Sequence, residues 1–178
     1  MLNPSPVVMV SCGNTLEEYN IITVAWAGTV CSDPPMCTIS VRPERHSYGI
    51  IKKNREFVIN LTTEQLATAT DWCGVRSGKK YNKFLEMDLT PVKATKVQAP
   101  LIYQSPVNIE CVVKEIIPLG SHDMFVAEIV AVHADNTLFD KKTDALQLDR
   151  CNLLSYAHGQ YYTLGKRIGK FGFSVKKK

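Results

Sequence analysis

Short apolar runs dominate the first half of this 178-residue chain, and their lengths are typical of β-strands. Three of them, each followed by turn-forming or polar residues, predict strands: Pro6–Cys12, Met36–Val41 and Phe57–Leu61. A fourth run, Ile21–Val30, is nearly continuously apolar and predicts one strand buried on both faces. It should end at Ser32-Asp33-Pro34-Pro35, because proline has no N–H to donate to a strand ladder.

The second half of the chain contains a clear alternation of apolar and polar residues over Val107–Ile117. One set consists of Val107, Ile109, Cys111 and Val113, and the opposite set of Asn108, Glu110 and Lys114. This period of two predicts a half-buried antiparallel strand. Its partner is predicted at Met124–Ala134, across a turn-rich hairpin loop at Pro118–Asp123.

Helical signals are few and short. A short helix is predicted near Ser47–Asn54, a second over Thr62–Cys73 with Thr63 as N-cap and Gly74 as its stop, and a further turn at Lys80–Leu85. Runs of strands with only short helices favour a mainly β fold, a closed antiparallel barrel, over a βαβ sheet. No G-x-G-x-x-G and no P-loop motif occurs, which excludes those two nucleotide sites.

Composition agrees with one globular domain. The chain is 45% hydrophobic and 21% charged, and no apolar run approaches the roughly 20 residues of a membrane span. The N-terminus lacks the layout of a secretory signal, so we expect a cytoplasmic protein with no membrane partner. The six cysteines (Cys12, Cys31, Cys37, Cys73, Cys111 and Cys151) are scattered without a C-x-x-C pair, which predicts reduced structural thiols and no metal site.

The formal net charge of +4 is carried by the C-terminus. Residues 166–178 contain six Lys/Arg and no acidic residue, whereas residues 1–165 carry 15 basic and 17 acidic groups. We therefore separate a domain at 1–165 from a basic tail at 166–178. The tail predicts a solvated face or, alternatively, a docking surface for an acidic redox partner. A nucleic-acid protein would spread its basic residues over the folded face, so we expect no nucleic-acid partner.

Two segments indicate the two ends of a ligand site. Small residues within the strand Thr23, Val24, Ala25, Trp26, Ala27, Gly28 and Thr29 leave room for a flat heterocycle against the backbone. The alternative is a packed central strand with Trp26 in the core. Further on, Arg45, His46 and Ser47 open a predicted helix, whose N-terminal N–H groups suit a phosphate. Here the alternative is that Ser47 only caps the helix.

Two further segments extend this picture. The glycine-bearing basic loop that contains Cys73, Ser77 and Gly78 and leads to Lys83 can close over a phosphate, or it is an exposed polar turn. His122 in the hairpin loop could orient a nicotinamide, or it is plain surface. No catalytic triad and no carboxylate pair is evident. Such a sequence fits an enzyme whose cofactor carries out the chemistry.

These segments, in this order, resemble the flavin reductase-like family, and within it the flavoredoxin group of FMN-binding split barrels. The resemblance covers roughly positions 4–165. It rests on the strand Asn20–Trp26, Ser32-x-Pro34-Pro35, Arg42-Pro43-x-Arg45-His46-Ser47, Glu56–Leu61, Cys73-Gly74-x-x-Ser77-Gly78 with Lys83-Phe84, Gly120-x-His122 with Glu128, and Tyr161-Tyr162-x-Leu164-Gly165. Many members have Gly-Asp-His where this chain has Gly120-Ser121-His122.

The resemblance implies an antiparallel split β-barrel that forms a homodimer and binds FMN near the subunit interface. The strand Thr23–Thr29 would hold the isoalloxazine, and Arg45, His46, Ser47, Ser77 and Lys83 would surround the phosphate. The expected activity is hydride transfer from NAD(P)H to flavin. The alternatives are a flavoredoxin-like electron-transfer protein reduced by a protein partner, and a non-catalytic barrel that binds a ligand or nucleic acid.

Overall fold

The computed structural model describes residues 2–175, in which residues in β-strands outnumber those in helices. The strands are β1 (Ser5–Pro6), β2 (Val8–Cys12), β3 (Asn20–Val24), β4 (Ala27–Ser32), β5 (Pro35–Val41), β6 (Glu56–Leu61), β7 (Pro91–Val92), β8 (Leu101–Ile102), β9 (Val107–Pro118), β10 (Asp123–Ala134), β11 (Leu154–Ala157) and β12 (Gln160–Thr163). The α-helices are α1 (His46–Asn54), α2 (Ala67–Val75) and α3 (Lys83–Glu86), and 3-10 turns occupy Glu64–Leu66, Asn136–Leu138, Leu148–Arg150 and Phe173–Val175.

Seven strands form one antiparallel sheet in the order β3-β2-β6-β9-β10-β5-β4. The two edge strands, β3 and β4, follow one another in sequence and are joined only by Ala25 and Trp26. Because two residues cannot span the width of a flat seven-stranded sheet, the sheet curls until its edges approach each other. This is the predicted mainly β, antiparallel split barrel. A small sheet, β1-β11-β12, and the pair β7-β8 complete the fold.

Two of the predicted strands are interrupted. The run Ile21–Val30 was expected to be one strand, but it breaks at Ala25-Trp26, where the chain passes from one edge of the sheet to the other. β3 is buried as predicted, whereas β4 is largely exposed and pairs only with β5. The predicted strand Pro6–Cys12 likewise breaks at Val7, because β1 pairs with β11 while β2 belongs to the main sheet.

The core has an inner and an outer part. Inside the barrel, apolar side chains of the sheet pack with Tyr48, Ile50 and Ile51 of α1. Outside it, α2 and α3 cover β2 and β3 through a second cluster that contains Met9 and Ile21. Strands covered on both faces explain why these segments are apolar at nearly every position.

The second helix differs from the sequence prediction at both ends. A 3-10 turn, Glu64–Leu66, precedes α2, and the side chain of Thr63 makes no capping hydrogen bond. The helix also continues through Gly74 to Val75. Gly74 contributes to packing rather than termination, since a Cβ there would lie 3.2 Å from Cβ of Thr23 in β3 and Thr23 would have to shift slightly. A glycine at this point lets the helix approach the strand closely.

The hairpin β9-β10 forms as predicted, but the outer face of β9 is not solvated. Asn108 and Glu110 are buried, because the segment 94–102 lies over them. One oxygen of Glu110 accepts hydrogen bonds from the backbone N–H groups of Lys96 (2.6 Å) and Val97 (3.0 Å). The other accepts from Thr95 N–H (2.8 Å) and lies 2.6 Å from His133 Nε2. The alternation of apolar and polar residues therefore assigned the two faces of β9 correctly. The polar face is buried because the segment 94–102 packs over it.

We predict that Glu110→Gln destabilises the fold by about 3 kcal/mol, because an amide cannot accept from all these donors. Burial alone would raise the pKa of this carboxyl, but hydrogen bonds from Thr95, His133 and Lys96 lower it to about 2 from the ordinary 4.5. The stabilisation should be complete above about pH 4.5 and disappear as the pH falls towards 2.

Urea unfolding of the wild type and the variant between pH 2 and 7 measures this difference. Glu115→Gln is the matched control, since Glu115 lies exposed on the same strand and should lose little stability. A variant of Glu110 as stable as the control at pH 7 would show that the carboxylate does not hold the segment.

Candidate functional site

The break between β3 and β4 forms one wall of a cleft of about 220 Å³. Six of its lining residues were predicted as site residues from the sequence: Thr23, Val24, Ala25, Trp26, Arg45 and His122. The other five were not: Ile22, Ser40, Val41, Arg42 and Tyr156. Tyr156 comes from β11, so the small sheet supplies part of the lining. The cleft thus lies where the barrel is split.

The backbone at the break is available to a ligand. Ala25 and Trp26 lie outside both strand ladders, although the Trp26 carbonyl accepts a hydrogen bond from Ser40 N–H (2.8 Å). The indole of Trp26 is 41% exposed, so it is not the core residue that the alternative interpretation required. A flat ring can therefore meet both an aromatic side chain and backbone polar groups here.

A second cleft, of about 160 Å³, adjoins the first and shares Ile22 and Arg45 with it. Its lining combines the beginning of α1 with the loop after α2. The residues are Asn20, Ile22, Glu44, Arg45, His46, Ser47, Val75, Arg76, Ser77, Gly78 and Lys83. Two segments that are 30 residues apart in sequence thus form a single polar cleft.

Two cations lie between the C-terminal end of α2 and the beginning of α1. Arg45 Nη2 donates to the Gly74 carbonyl (2.5 Å), and buried Lys83 Nζ donates to the carbonyls of Cys73 and Ile21 (both 2.7 Å). Positive groups at the negative end of a helix dipole are favourable. Each side chain keeps unused N–H donors, four on Arg45 and one on protonated Lys83, which can serve an anion.

A buried pair joins the two segments. The amide of Asn20 donates to Ser47 Oγ (2.7 Å), and both residues are buried. Ser47 is therefore bound within the site and does not cap its helix, in which no side-chain cap is formed. Gly78 lies against the same amide, because a Cβ added there would be 2.6 Å from Cγ of Asn20. The absence of a side chain at Gly78 lets the loop close against β3.

The second cleft is electropositive. Burial lowers the pKa of Lys83 to about 8, and burial followed by the charges of Lys79 and Lys83 lowers the pKa of His46. Glu44 also lines the cleft, but its carboxylate lies 3.5 Å from Arg42 in an exposed ion pair. A concentration of desolvated cations of this kind favours an anionic ligand.

The base of the hairpin loop between β9 and β10 is held by a hydrogen bond to α1. Buried Asp123 accepts a hydrogen bond from Tyr48 of α1 (2.6 Å), which raises the pKa of Tyr48. At the tip, Ser121 Oγ lies 2.9 Å from Nδ1 of His122, which leaves Nε2 as the other polar atom of the ring. His122 is partly exposed beside the first cleft.

Four predicted cofactor residues line neither cleft. Ala27, Gly28 and Thr29 belong to β4, which runs away from the break, and the Cys73 thiol is fully buried. The carbonyl of Cys73 still binds Lys83. Tyr156 could not be found from the sequence, since it lies 130 residues beyond Trp26 and has no motif around it.

The six cysteines are free thiols. The closest pair is Cys37 and Cys111, whose sulfurs are 3.6 Å apart inside the barrel. Their strands, β5 and β9, both pair with β10 and therefore lie about 9–10 Å apart. A disulfide requires its Cα atoms within about 7 Å, so this pair is a packing contact.

A separate cleft of about 290 Å³ lies between the turn Glu64–Leu66, residues 103–106 and residues 135–152, and no predicted cofactor residue lines it. Among residues 2–175, no helix has the length and apolar character needed to cross a membrane.

Comparison with known proteins identifies relatives of the whole barrel. Residues 1–165 match the flavin reductase like domain. An uncharacterized protein of Archaeoglobus fulgidus is 31% identical over 129 residues, which cover 72% of this chain and 73% of that protein. The flavoredoxin of Desulfovibrio vulgaris (Miyazaki F) superposes with a TM-score of 0.91 at 27% identity, over 99% of this chain and 95% of that one. An FMN-binding protein from Thermus thermophilus has a TM-score of 0.80 at 23% identity, over 94% and 90% of the two chains.

The split barrel and these similarities define the class as flavin-related oxidoreductases and support a flavin cofactor. The chain belongs to the flavin reductase-like domain family.

Proposed function

We propose that this protein binds FMN non-covalently across the two adjoining clefts and transfers reducing equivalents from NAD(P)H through it. The observation that carries the proposal is the continuity of the clefts at Ile22 and Arg45. One cleft suits an aromatic ring and the other an anion, as the two ends of FMN require. The family supports flavin as the ligand.

The donors in the second cleft fit a phosphate. Arg45 and Lys83 offer unused N–H groups, Ser77 offers a hydroxyl, and α1 begins at His46 with its positive dipole end. At the first cleft, the indole of Trp26 and the backbone of Ala25 would meet the ring, with Tyr156 nearby. Bound flavin would supply the hydride and electron chemistry.

In this proposal, the residues of the chain bind the flavin and orient the nicotinamide. Because its Nδ1 lies beside Ser121, His122 would present Nε2 to the first cleft, where it could orient a nicotinamide. No general acid or base is required of the protein in this proposal. FMN near a subunit boundary implies a homodimer, in which a second copy covers the open side of the first cleft.

The second candidate is an electron-transfer protein reduced by a protein partner. It is favoured by the similarity to a flavoredoxin over 99% of the chain. Anaerobic mixing of the FMN-loaded protein with NADH or NADPH distinguishes the two. A rapid loss of the absorbance of oxidised flavin supports the reductase function. An absorbance that does not change within minutes supports the electron-transfer function. A purified protein that binds no flavin would favour the third alternative, a non-catalytic barrel.

Replacing Arg45 by alanine should weaken FMN binding at least tenfold, because it removes charge-assisted hydrogen bonds worth about 1.5–3 kcal/mol. Ser47→Ala should also weaken it, partly by leaving Asn20 without its partner. Fluorescence titration with FMN and with riboflavin, which lacks the phosphate, measures the effect.

Riboflavin affinity of Arg45→Ala should stay within about twofold of the wild type, since only the phosphate contact is lost. Arg150→Ala, at the separate cleft, is the control and should leave both affinities unchanged. Equal losses for the two flavins would place Arg45 at the ring and contradict the assigned orientation.

A further inference from the structure

The C-terminal arm, residues 164–175, presents a series of exposed apolar side chains. Ile168 is 94% exposed, Phe171 is fully exposed, and Leu164, Phe173 and Val175 are also largely exposed. Single exposed apolar residues are ordinary, but five within twelve residues are not expected of a solvated face. The sequence leaves a solvated face and a docking surface as alternatives for this tail, and this pattern favours the docking surface.

The arm has a defined local shape. The ring of Phe173 packs against Gly169, where an added Cβ would lie within 3 Å of three ring atoms. Phe173 N–H bonds to the Lys170 carbonyl (2.9 Å), and Gly172 adopts φ +79°. Such a turn holds Phe171 and Ile168 in the open. A preformed turn with protruding apolar side chains is suited to packing on a protein surface.

The distribution of charge favours a second copy of the chain as the protein surface on which the arm packs. The arm carries Lys166, Arg167 and Lys170 and no acidic residue, whereas residues 1–165 have a net charge of −2. The arm also follows β12, the edge strand next to β11, which supplies Tyr156 to the first cleft. The arm therefore begins beside the small sheet that borders this cleft.

We propose that the C-terminal arm packs its apolar side chains against the body of a second copy of this chain and so holds the homodimer together. This inference rests on the homodimer proposed above, and it names the segment that forms the contact. Each protomer of a symmetric dimer would give one arm and receive one, so a change in the arm acts twice.

The test is sedimentation of the double variant I168S/F171S over a range of protein concentrations. We expect the wild type to be a dimer and the variant to dissociate at a concentration at least tenfold higher. Leu85→Ser is the matched control, because Leu85 is 77% exposed on α3 and its change should leave the dimer intact. Far-UV circular dichroism checks that each variant is folded.

A monomeric wild type, or a variant that dimerises as tightly as the wild type, would overturn the proposal. So would arm-dependent binding to vesicles of phosphatidylserine and phosphatidylcholine, since a basic, aromatic segment can also adsorb to an anionic membrane surface. FMN titration of the same samples separates the two hypotheses. If the variant loses the dimer but still binds FMN, the result supports the role of the arm in dimerisation. If the wild type is a dimer that does not bind FMN, the result contradicts only the proposed function.

Discussion

Gly78→Ala is expected to reduce FMN affinity more than tenfold while leaving the barrel folded. The new methyl group would overlap the side-chain amide of Asn20, which is buried and bonded to Ser47. Either Asn20 moves and breaks that bond, or the loop that contains Ser77 moves away from the second cleft. Overpacking of this kind costs roughly 1–3 kcal/mol. Fluorescence titration with FMN measures the loss.

Gly49→Ala is the matched control. Gly49 lies within α1 with open space around it, so alanine should leave binding unchanged and raise stability by about 0.5–1 kcal/mol. A double-mutant cycle with Asn20→Ala sharpens the test. If the clash is with Asn20, adding Gly78→Ala to Asn20→Ala should cost little more than Asn20→Ala alone. Additive losses would show that Gly78 acts by another route.

Lys83→Met should also weaken FMN binding tenfold or more, and it should remove a pH dependence. Burial lowers the pKa of Lys83 to about 8 from the ordinary 10.5. Only the protonated side chain has a third N–H and a charge for the phosphate. FMN affinity of the wild type should therefore decrease as the pH rises above about 8, whereas that of the variant should stay level.

The same pKa makes a prediction for stability without ligand. Between pH 8 and 10.5 the unfolded state keeps a proton that the folded state has released, so the free energy of unfolding should gain a contribution that rises with pH. Lys80→Met, which removes an exposed charge from the neighbouring loop, is the control and should change FMN affinity by no more than about twofold. Wild-type affinity that is constant from pH 7 to 9.5 would contradict the role of Lys83.

The sequence by itself determined most of the strands and about half of the residues that line the two clefts. Alternation and turn residues located the hairpin β9-β10 nearly to the residue, because a period of two and a proline-bounded loop are local properties. Most of the chemistry-bearing residues of the second cleft were also predictable. Arg45, His46 and Ser47 lie next to one another at a helix start, and Ser77, Gly78 and Lys83 follow in one loop and the helix after it.

Only the tertiary structure decided which polar residues are buried and where strands break. Glu110 was predicted to face solvent, but the segment 94–102 covers it through hydrogen bonds between residues 13–15 positions apart. The break at Ala25 has no turn signal in the sequence, since it results from closing the sheet around β3 and β4. Tyr156 reaches the first cleft only because β11 pairs with β1. Contacts of this kind are set by the closure of the barrel, which no single stretch of sequence encodes.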